Sequence, residues 1–426
     1  MTSKSTEFKI YYRLGIAPDV GPLELETSSY HGIAIGANVA AWGQSWSAGL
    51  LTRTRKPFFV DPMTYVFAQD PRVLLKEDDL RQSFARLVDE YDGILSAIAG
   101  KKPLRPTHFW KAGRLASAGH DFVDAVLTFE ANGLEKGEST QLRISDYLEM
   151  IGEKTEVTKL VPEFFVPPYF HASSLDDDWY KISVAMAKYA VKQRKDDKVV
   201  PVVCLSDHVL KDENAMSQLV VDYGDFDSVL MWIADFDETR ATVPQLVGYG
   251  RLVKRLAAGG VVPMALYGGF FALTLATAGL GGLSSGVCYA ESKSVSRQAT
   301  GGGAPIRYYV PWAHTKVVKA NATTFFTANP REYCKCSICK AALDSGTRTG
   351  IQSRIVRAFA QLDRASSGRH FMRIRSGEAQ LYGGASKTSS IQSLARDRRV
   401  GERTGATTLG IPIGPLIKWI DALEQI

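Results

Sequence analysis

The sequence predicts an α/β protein, a TIM (β/α)8 barrel with a C-terminal zinc-binding subdomain, on three observations. Eight short β-rich apolar runs are separated in several places by amphipathic helical patterns. The 426 residues exceed an ordinary single domain yet suit a barrel with insertions. Late in the chain, "EYCKCSICKAA" places Cys334, Cys336 and Cys339 within six positions.

In order, the runs are "GIAIGANVAAW" (32–42), "PFFVDPMTYVF" (57–67), "LVPEFFVPPYF" (160–170), "VVPVVCLSDHV" (199–209), "FDSVLMWIADFD" (226–237), "GGVVPMALYGG" (259–269), "GGLSSGVCYAE" (281–291) and "IRYYVPWAHTKV" (306–317). Most are apolar on both faces, as strands of a helix-covered parallel sheet must be. Helical patterns occupy residues 77–100, 175–195, 238–259 and 270–279. The gap between the second and third runs is too long for one crossover helix, so an insertion over about residues 98–158, with His108 and Trp110, is expected. The barrel domain then covers 1–330 and a basic, zinc-binding and helical subdomain 331–426. A doubly wound open sheet is the runner-up. No glycine-rich phosphate loop follows an early strand, which counts against a dinucleotide or nucleoside-triphosphate fold.

Residues 256–290 carry no charge and are numerous enough to span a bilayer. Eight glycines and Pro263 break them into strand, turn, short helix and strand, so a buried sheet unit is expected and no membrane partner. No charged leader followed by an apolar stretch opens the chain, and reduced cysteines suggest the cytoplasm.

Charge is unevenly spread. From Arg331 onward the chain holds 16 Lys or Arg against 8 Asp or Glu, whereas the preceding residues hold 35 against 37. A basic appendage on a near-neutral body suits a polyanion, and Arg396, Arg398 and Arg399 are its densest cluster. The other reading of this surface is a solvated face, with "RIVRAFAQLDR" as an amphipathic helix.

Three thiolates this close cannot all pair with one another, and Cys204 and Cys288 lie in apolar runs. A disulfide framework is therefore disfavoured, whereas thiolates converging within two turns suit tetrahedral zinc. His370 is the only histidine that follows and supplies the fourth ligand. Four protein ligands leave no open position for activating water, so this zinc is structural and the chemistry lies elsewhere.

In a barrel the carboxyl ends of the strands supply the catalytic groups. Here they offer Asp61, Tyr169, His171, Asp207, His208, Asp235, Asp237, Glu238, Tyr267, Gly268, Gly269, Glu291, Trp312 and His314. Several carboxylates at one mouth furnish a nucleophile and a general acid or base. Asp61, Asp235 and Glu291 are the candidates, while Asp237 before "ETRATV" suits a helix cap.

A CxCxxC sequence with histidine about 30 residues later, following an eighth strand, resembles the zinc subdomain of the tRNA-guanine transglycosylase superfamily, which includes DNA-modifying members that insert deazaguanine bases. The resemblance implies a barrel, a structural zinc that helps dock nucleic acid, and base exchange at C1′ through one nucleophilic and one proton-handling aspartate. "FFVDPMTYVF" resembles the segment bearing the proton-handling residue, which maps that role to Asp61. "PPYF", "ALYGG" and "GLSSGVCYAES" are similar in placement to the family's Pro-Tyr, glycine-bearing and nucleophile-bearing strands. Where the family has its nucleophile, however, this chain has Ser285, Gly286, Val287 and Cys288, with Glu291 farther on, and Phe164, Phe165 and Val166 replace the base-reading aspartate.

The expected activity is exchange of a purine or deazapurine on tRNA or DNA, with an extruded base stacked on Tyr169, Phe170, Tyr267 and Trp312 and admitted beside Gly268 and Gly269. The expected partners are nucleic acid, a deazapurine base, and a second copy or larger assembly. A non-catalytic nucleic-acid-binding barrel and an N-glycosidic hydrolase are the alternatives.

Overall fold

Seven strands pair side by side in one wholly parallel sheet: β1 (Lys9–Leu14), β2 (Gly32–Gly36), β3 (Phe58–Asp61), β4 (Val202–Ser206), β5 (Ser228–Ala234), β6 (Val262–Ala265) and β7 (Gly282–Gly286). Their order is β3-β2-β1-β7-β6-β5-β4. The structure is a computed structural model that describes residues 7–15, 17–69, 75–76, 79–91, 93–99, 102–150, 159–288, 291–296, 305–344 and 350–426. β3 and β5 are buried along their whole length, which explains their unbroken apolar character. In β7, a Cβ at Gly282 would lie 2.4 Å from the Lys9 carbonyl oxygen, so glycine lets β1 and β7 pair closely.

The sheet curls into a half-barrel, because one extended stretch touches both of its edges. The Glu163 amide donates to the Phe58 carbonyl of β3 at 2.7 Å. Farther along, Phe165 bridges Val199, and Ala172 bridges Leu205 of β4. Helices flank the sheet with local signals in place. Asp177 caps Asp178–Gln193 through the Trp179 amide, and Thr242 and Gln245 form a capping box on Val243–Ala258.

Two strand expectations differ from the fold. β1, "KIYYRL", lies at the sheet centre although it is not among the eight apolar runs; Lys9 and Arg13 dilute its apolar signal while Tyr11 and Tyr12 are fully buried. The last run, 306–317, is no strand of this sheet. It folds back as an antiparallel hairpin, β8 (Arg307–Val310) with β9 (Thr315–Val318). The turn between them, "PWAH", places His314 at φ +49°.

Between β3 and the bridging stretch lie helices that include Pro106–Phe109, Ser117–Asn132 and Glu135–Met150, while residues 151–158 lie outside the described ones. Residues 256–288 form a helix end, β6, the short helix Phe270–Thr274 and β7, while 289 and 290 lie outside the described residues. Among the described residues no helix is long and apolar enough to cross a membrane.

A second, smaller core gathers Tyr308, Val310, Phe325, Phe326, Phe359 and Ile411 around the cysteines. The helix Arg364–Gly383 serves both cores: His370 turns toward the cysteines, while Phe371, Met372 and Tyr382 join the main core. Trp419, on the last helix Gly414–Gln425, is fully buried and donates to the Glu238 carbonyl at 3.0 Å, clamping the chain's end over the loop after β5.

Candidate active site and metal centre

Asp61 ends β3 and is wholly buried. Its carboxylate accepts from Arg13 Nη2 at 2.5 Å, from the Tyr169 hydroxyl at 2.8 Å and from the Met63 amide at 3.1 Å. The bond from the Met63 amide to the side chain two residues back closes an Asx turn, and Met63 itself adopts φ +53°. Burial alone would push the carboxyl up. The charges of Arg13 and Lys293 and the hydrogen bonds from Tyr169 and Arg13 outweigh it and hold Asp61 below the usual carboxylate range.

Arg13 reaches this point because side chains alternate along β1. Tyr11 and Arg13 share one face, and Tyr12 takes the other, against Tyr30 and Phe371. The Arg13 guanidinium lies 4.5 Å from the Tyr267 ring centre. Lys293, after β7, donates to the Tyr267 hydroxyl at 2.8 Å, with its ammonium 5.0 Å from the Tyr65 ring and 5.6 Å from Trp232. An ionised carboxylate, two cations and four aromatic rings thus converge at the carboxyl ends of the strands.

A second polar group lies alongside. Glu291 binds Arg375 at 2.7 Å and faces Lys316 at 3.9 Å. Glu378 accepts from the Tyr309 hydroxyl at 2.8 Å and meets His314 Nδ1 at 2.6 Å; the other ring nitrogen faces Asp397 at 3.2 Å. Burial opposes a charge on His314, but Glu378 and Asp397 outweigh it and raise its pKa. Glu238 accepts the amides of Gly269, Phe271 and Ala272, and burial pushes its carboxyl up to about 7. A cavity of about 300 Å³ is lined by Glu238, Glu291, His314 and Lys316, among others, and a second of about 520 Å³ by Asp235, Gln245 and Lys293.

The predicted residues therefore separate into groups. Asp61, Tyr169 and Tyr267 come together, with Glu291 in the adjoining network. Asp235 is exposed at φ +61°, on the wall of the larger cavity, and Asp237 caps the turn through the Thr239 amide at 2.9 Å. Gly268 and Gly269 are packed rather than open: a Cβ on Gly269 would lie 2.7 Å from Glu238 Oε2. Trp312 stands apart from the tyrosines, in the second core against Phe325, because the hairpin carries it away from the sheet. His171 bonds Ser206 at 3.0 Å and Asp207 bonds Gln245. Arg13 and Lys293 escaped the sequence reading. The aromatic pair in "KIYYRL" is a β signal that marks the strand carrying Arg13, whereas nothing local marks Lys293.

The thiols of Cys334, Cys336 and Cys339 and a ring nitrogen of His370 all lie within 4.8 Å of one another, so the four could hold a metal ion. Local turns aim them: the Cys336 amide points to Cys334 Sγ at 3.4 Å and the Cys339 amide to Cys336 Sγ at 3.5 Å. His370 Nε2 meets the Tyr309 carbonyl at 2.8 Å, which fixes the tautomer and leaves Nδ1 facing two of the sulfurs at 3.4 Å. Tyr308 stacks on the imidazole at 4.3 Å. Cys204 and Cys288 stand outside the cluster.

On the helix Lys387–Arg403, Arg398 pairs with Glu402 at 2.7 Å. Arg396 and Arg399 are exposed and bond within their own helix, to Ser393 and to the Ala395 carbonyl. No protein-family model, curated protein or solved structure matches this chain.

Proposed function

We propose that the protein is a nucleic-acid base transglycosylase, exchanging a purine or deazapurine at C1′ of tRNA or DNA. The observation that carries this reading is the ionised Asp61 held by Arg13 and Tyr169 beside the faces of Tyr65, Trp232 and Tyr267. Tyr267 is partly exposed and offers an extruded base a face, with the buried Tyr65 and Trp232 packed behind it, and a fixed carboxylate stabilises the positive charge that develops at C1′. Asp61 handles protons behind the rings. Glu291, about a quarter exposed, is the accessible carboxylate for covalent attack, after which an incoming base restores the configuration by a second displacement. Arg396 and Arg399 hold the phosphate backbone.

In this reading the fold is a complete TIM barrel, with residues 163–172 filling the eighth strand position between β3 and β4; support comes from their hydrogen bonds to both edges. Zinc is the metal we assign to Cys334, Cys336, Cys339 and His370, because three thiolates and one imidazole are a donor set for that ion. It stabilises the second core beside the helix that also carries Arg375 and Glu378.

Labelled-base incorporation into tRNA and DNA tests the proposal. Asp61→Asn and Glu291→Gln should each lower turnover by about a hundredfold or more, whereas Asp235→Asn, on an exposed wall residue, should have less effect. If wild type turns over and both Asp61→Asn and Glu291→Gln match it, the assigned carboxylates are wrong. One observation favours a second reading, a binding barrel without catalysis: Asp61 is wholly buried under three donors, and β7 offers Ser284 and Ser285 where a nucleophile is expected. Salt-dependent nucleic-acid binding with no base exchange would select it.

A further inference from the structure

Among the buried groups that base exchange does not use, Lys316 is the least usual. It sits in the middle of β9, and its side chain is only 7% exposed. Its ammonium lies 3.7 Å from the Phe371 ring centre, 3.3 Å from the Gly286 carbonyl and 3.9 Å from Glu291. Lys316 also lines the 300 Å³ cavity together with Glu291, so the residue borders open space.

A lysine serving only as a structural cation sits close to its carboxylate. Here the closer guanidinium of Arg375, 2.7 Å from Glu291, already takes that part. Lys316 is left with a carbonyl, an aromatic face and a carboxylate just beyond hydrogen-bond range. Burial, the largest effect, moves its pKa down to about 8, against the pull of Glu291. The cavity lining includes Arg240, whose side chain is 88% exposed and pairs with Asp237 at 3.6 Å, leaving guanidinium donors that can meet an anionic group.

We propose that Lys316 forms a Schiff base with the C1 aldehyde of an open-chain sugar phosphate bound in this cavity. Lys316 first passes its proton to Glu291. The neutral amine attacks the carbonyl carbon, a C–N bond forms, and the carbonyl π pair moves to oxygen, which takes a proton from the nitrogen. Glu291 then returns its proton to the carbinolamine hydroxyl, water leaves, and the nitrogen lone pair closes the C=N bond as an iminium. No oxidant or further reactant is needed. The same aldehyde exists free as a pentose phosphate and within nucleic acid as a ring-opened abasic sugar. The proposal needs neither Asp61 nor a base, so it stands or falls apart from base exchange.

The test traps the adduct. The full-length protein is incubated at pH 8 with ribose 5-phosphate and sodium cyanoborohydride, digested and mapped by mass spectrometry. At that pH a lysine with pKa about 8 is roughly half neutral, against well under a hundredth of an ordinary one. Adduct at Lys316 should exceed that at the exposed Lys188 and Lys195 by about tenfold, access to the cavity cutting into the larger ratio. A parallel arm uses an oligonucleotide with an abasic site, read as a covalent band on a denaturing gel. Trapping by the sugar phosphate alone assigns the free metabolite class, and trapping by the oligonucleotide alone assigns nucleic acid. Lys316→Arg keeps the cation beside Glu291 and should abolish the specific adduct; should that variant unfold, the wild-type peptide map decides alone. Modification spread over the exposed lysines with none at Lys316, in both arms, overturns the proposal.

Discussion

Replacing Arg13 by methionine probes the centre of the candidate site. The substitution keeps an unbranched stem and removes the guanidinium with its charge, leaving the Asp61 carboxylate wholly buried with the Tyr169 hydroxyl, the Met63 amide and the nearby Lys293. Removing one member of a buried pair costs about 3–5 kcal/mol, because the survivor is charged without compensation. In the native protein Asp61 titrates below its unfolded value, so the stability it contributes is present above about pH 4 and is lost as pH falls through the folded pKa. Without Arg13 the largest opposing charge is gone, and the carboxyl should titrate higher than in the wild type, with Lys293 and the Tyr169 hydroxyl still opposing burial. The variant should therefore be most destabilised at neutral pH, and the deficit should shrink on acidification as Asp61 protonates. Urea unfolding midpoints at pH 7 and pH 5 measure both effects. Adding Asp61→Asn to Arg13→Met should recover much of the loss, as the double-mutant cycle for a coupled pair requires. If Arg13→Met lies within about 1 kcal/mol of wild type at pH 7, or the double variant loses the sum of the two single effects, the pair does not hold the site as described.

Other outcomes follow from the same geometry. Elemental analysis should find one zinc per chain, and both chelation and Cys336→Ser should remove it and lower the thermal midpoint, since metal binding contributes directly to folding. At the opposite end of the sheet, burial would raise Glu163, but His31, Lys9 and Tyr11 bring it down to about 2; its stabilisation should persist above about pH 4.3 and fade toward pH 2, and Glu163→Gln should flatten that part of the pH–stability curve. Neutralising Arg396 and Arg399 should weaken nucleic-acid binding and reduce the salt slope by about one unit for each phosphate no longer neutralised, with Arg398 contributing less because Glu402 already engages it.

The convergence of Cys334, Cys336, Cys339 and His370 was legible because three ligands lie within six positions and one histidine follows them, so donor chemistry and short spacing did nearly all the selecting. The strand–turn–helix–strand reading of residues 256–290 was legible for a similar reason, since glycine and proline act locally. Pairing across long separations left no such mark. Arg13 meets Asp61 across 48 positions and Arg375 meets Glu291 across 84, pairings set by strand order and by how the last helices fold back over the sheet. "KIYYRL" looked too polar for a central strand until its Arg had a buried carboxylate and its Lys a glutamate at the sheet's other end. Trp312 reads the same as an aromatic at a strand end or in a hairpin, and only the antiparallel return of β9 sends it into the second core. Local propensity and ligand chemistry are properties of neighbouring residues; which buried charge finds which partner depends on packing that no short stretch encodes.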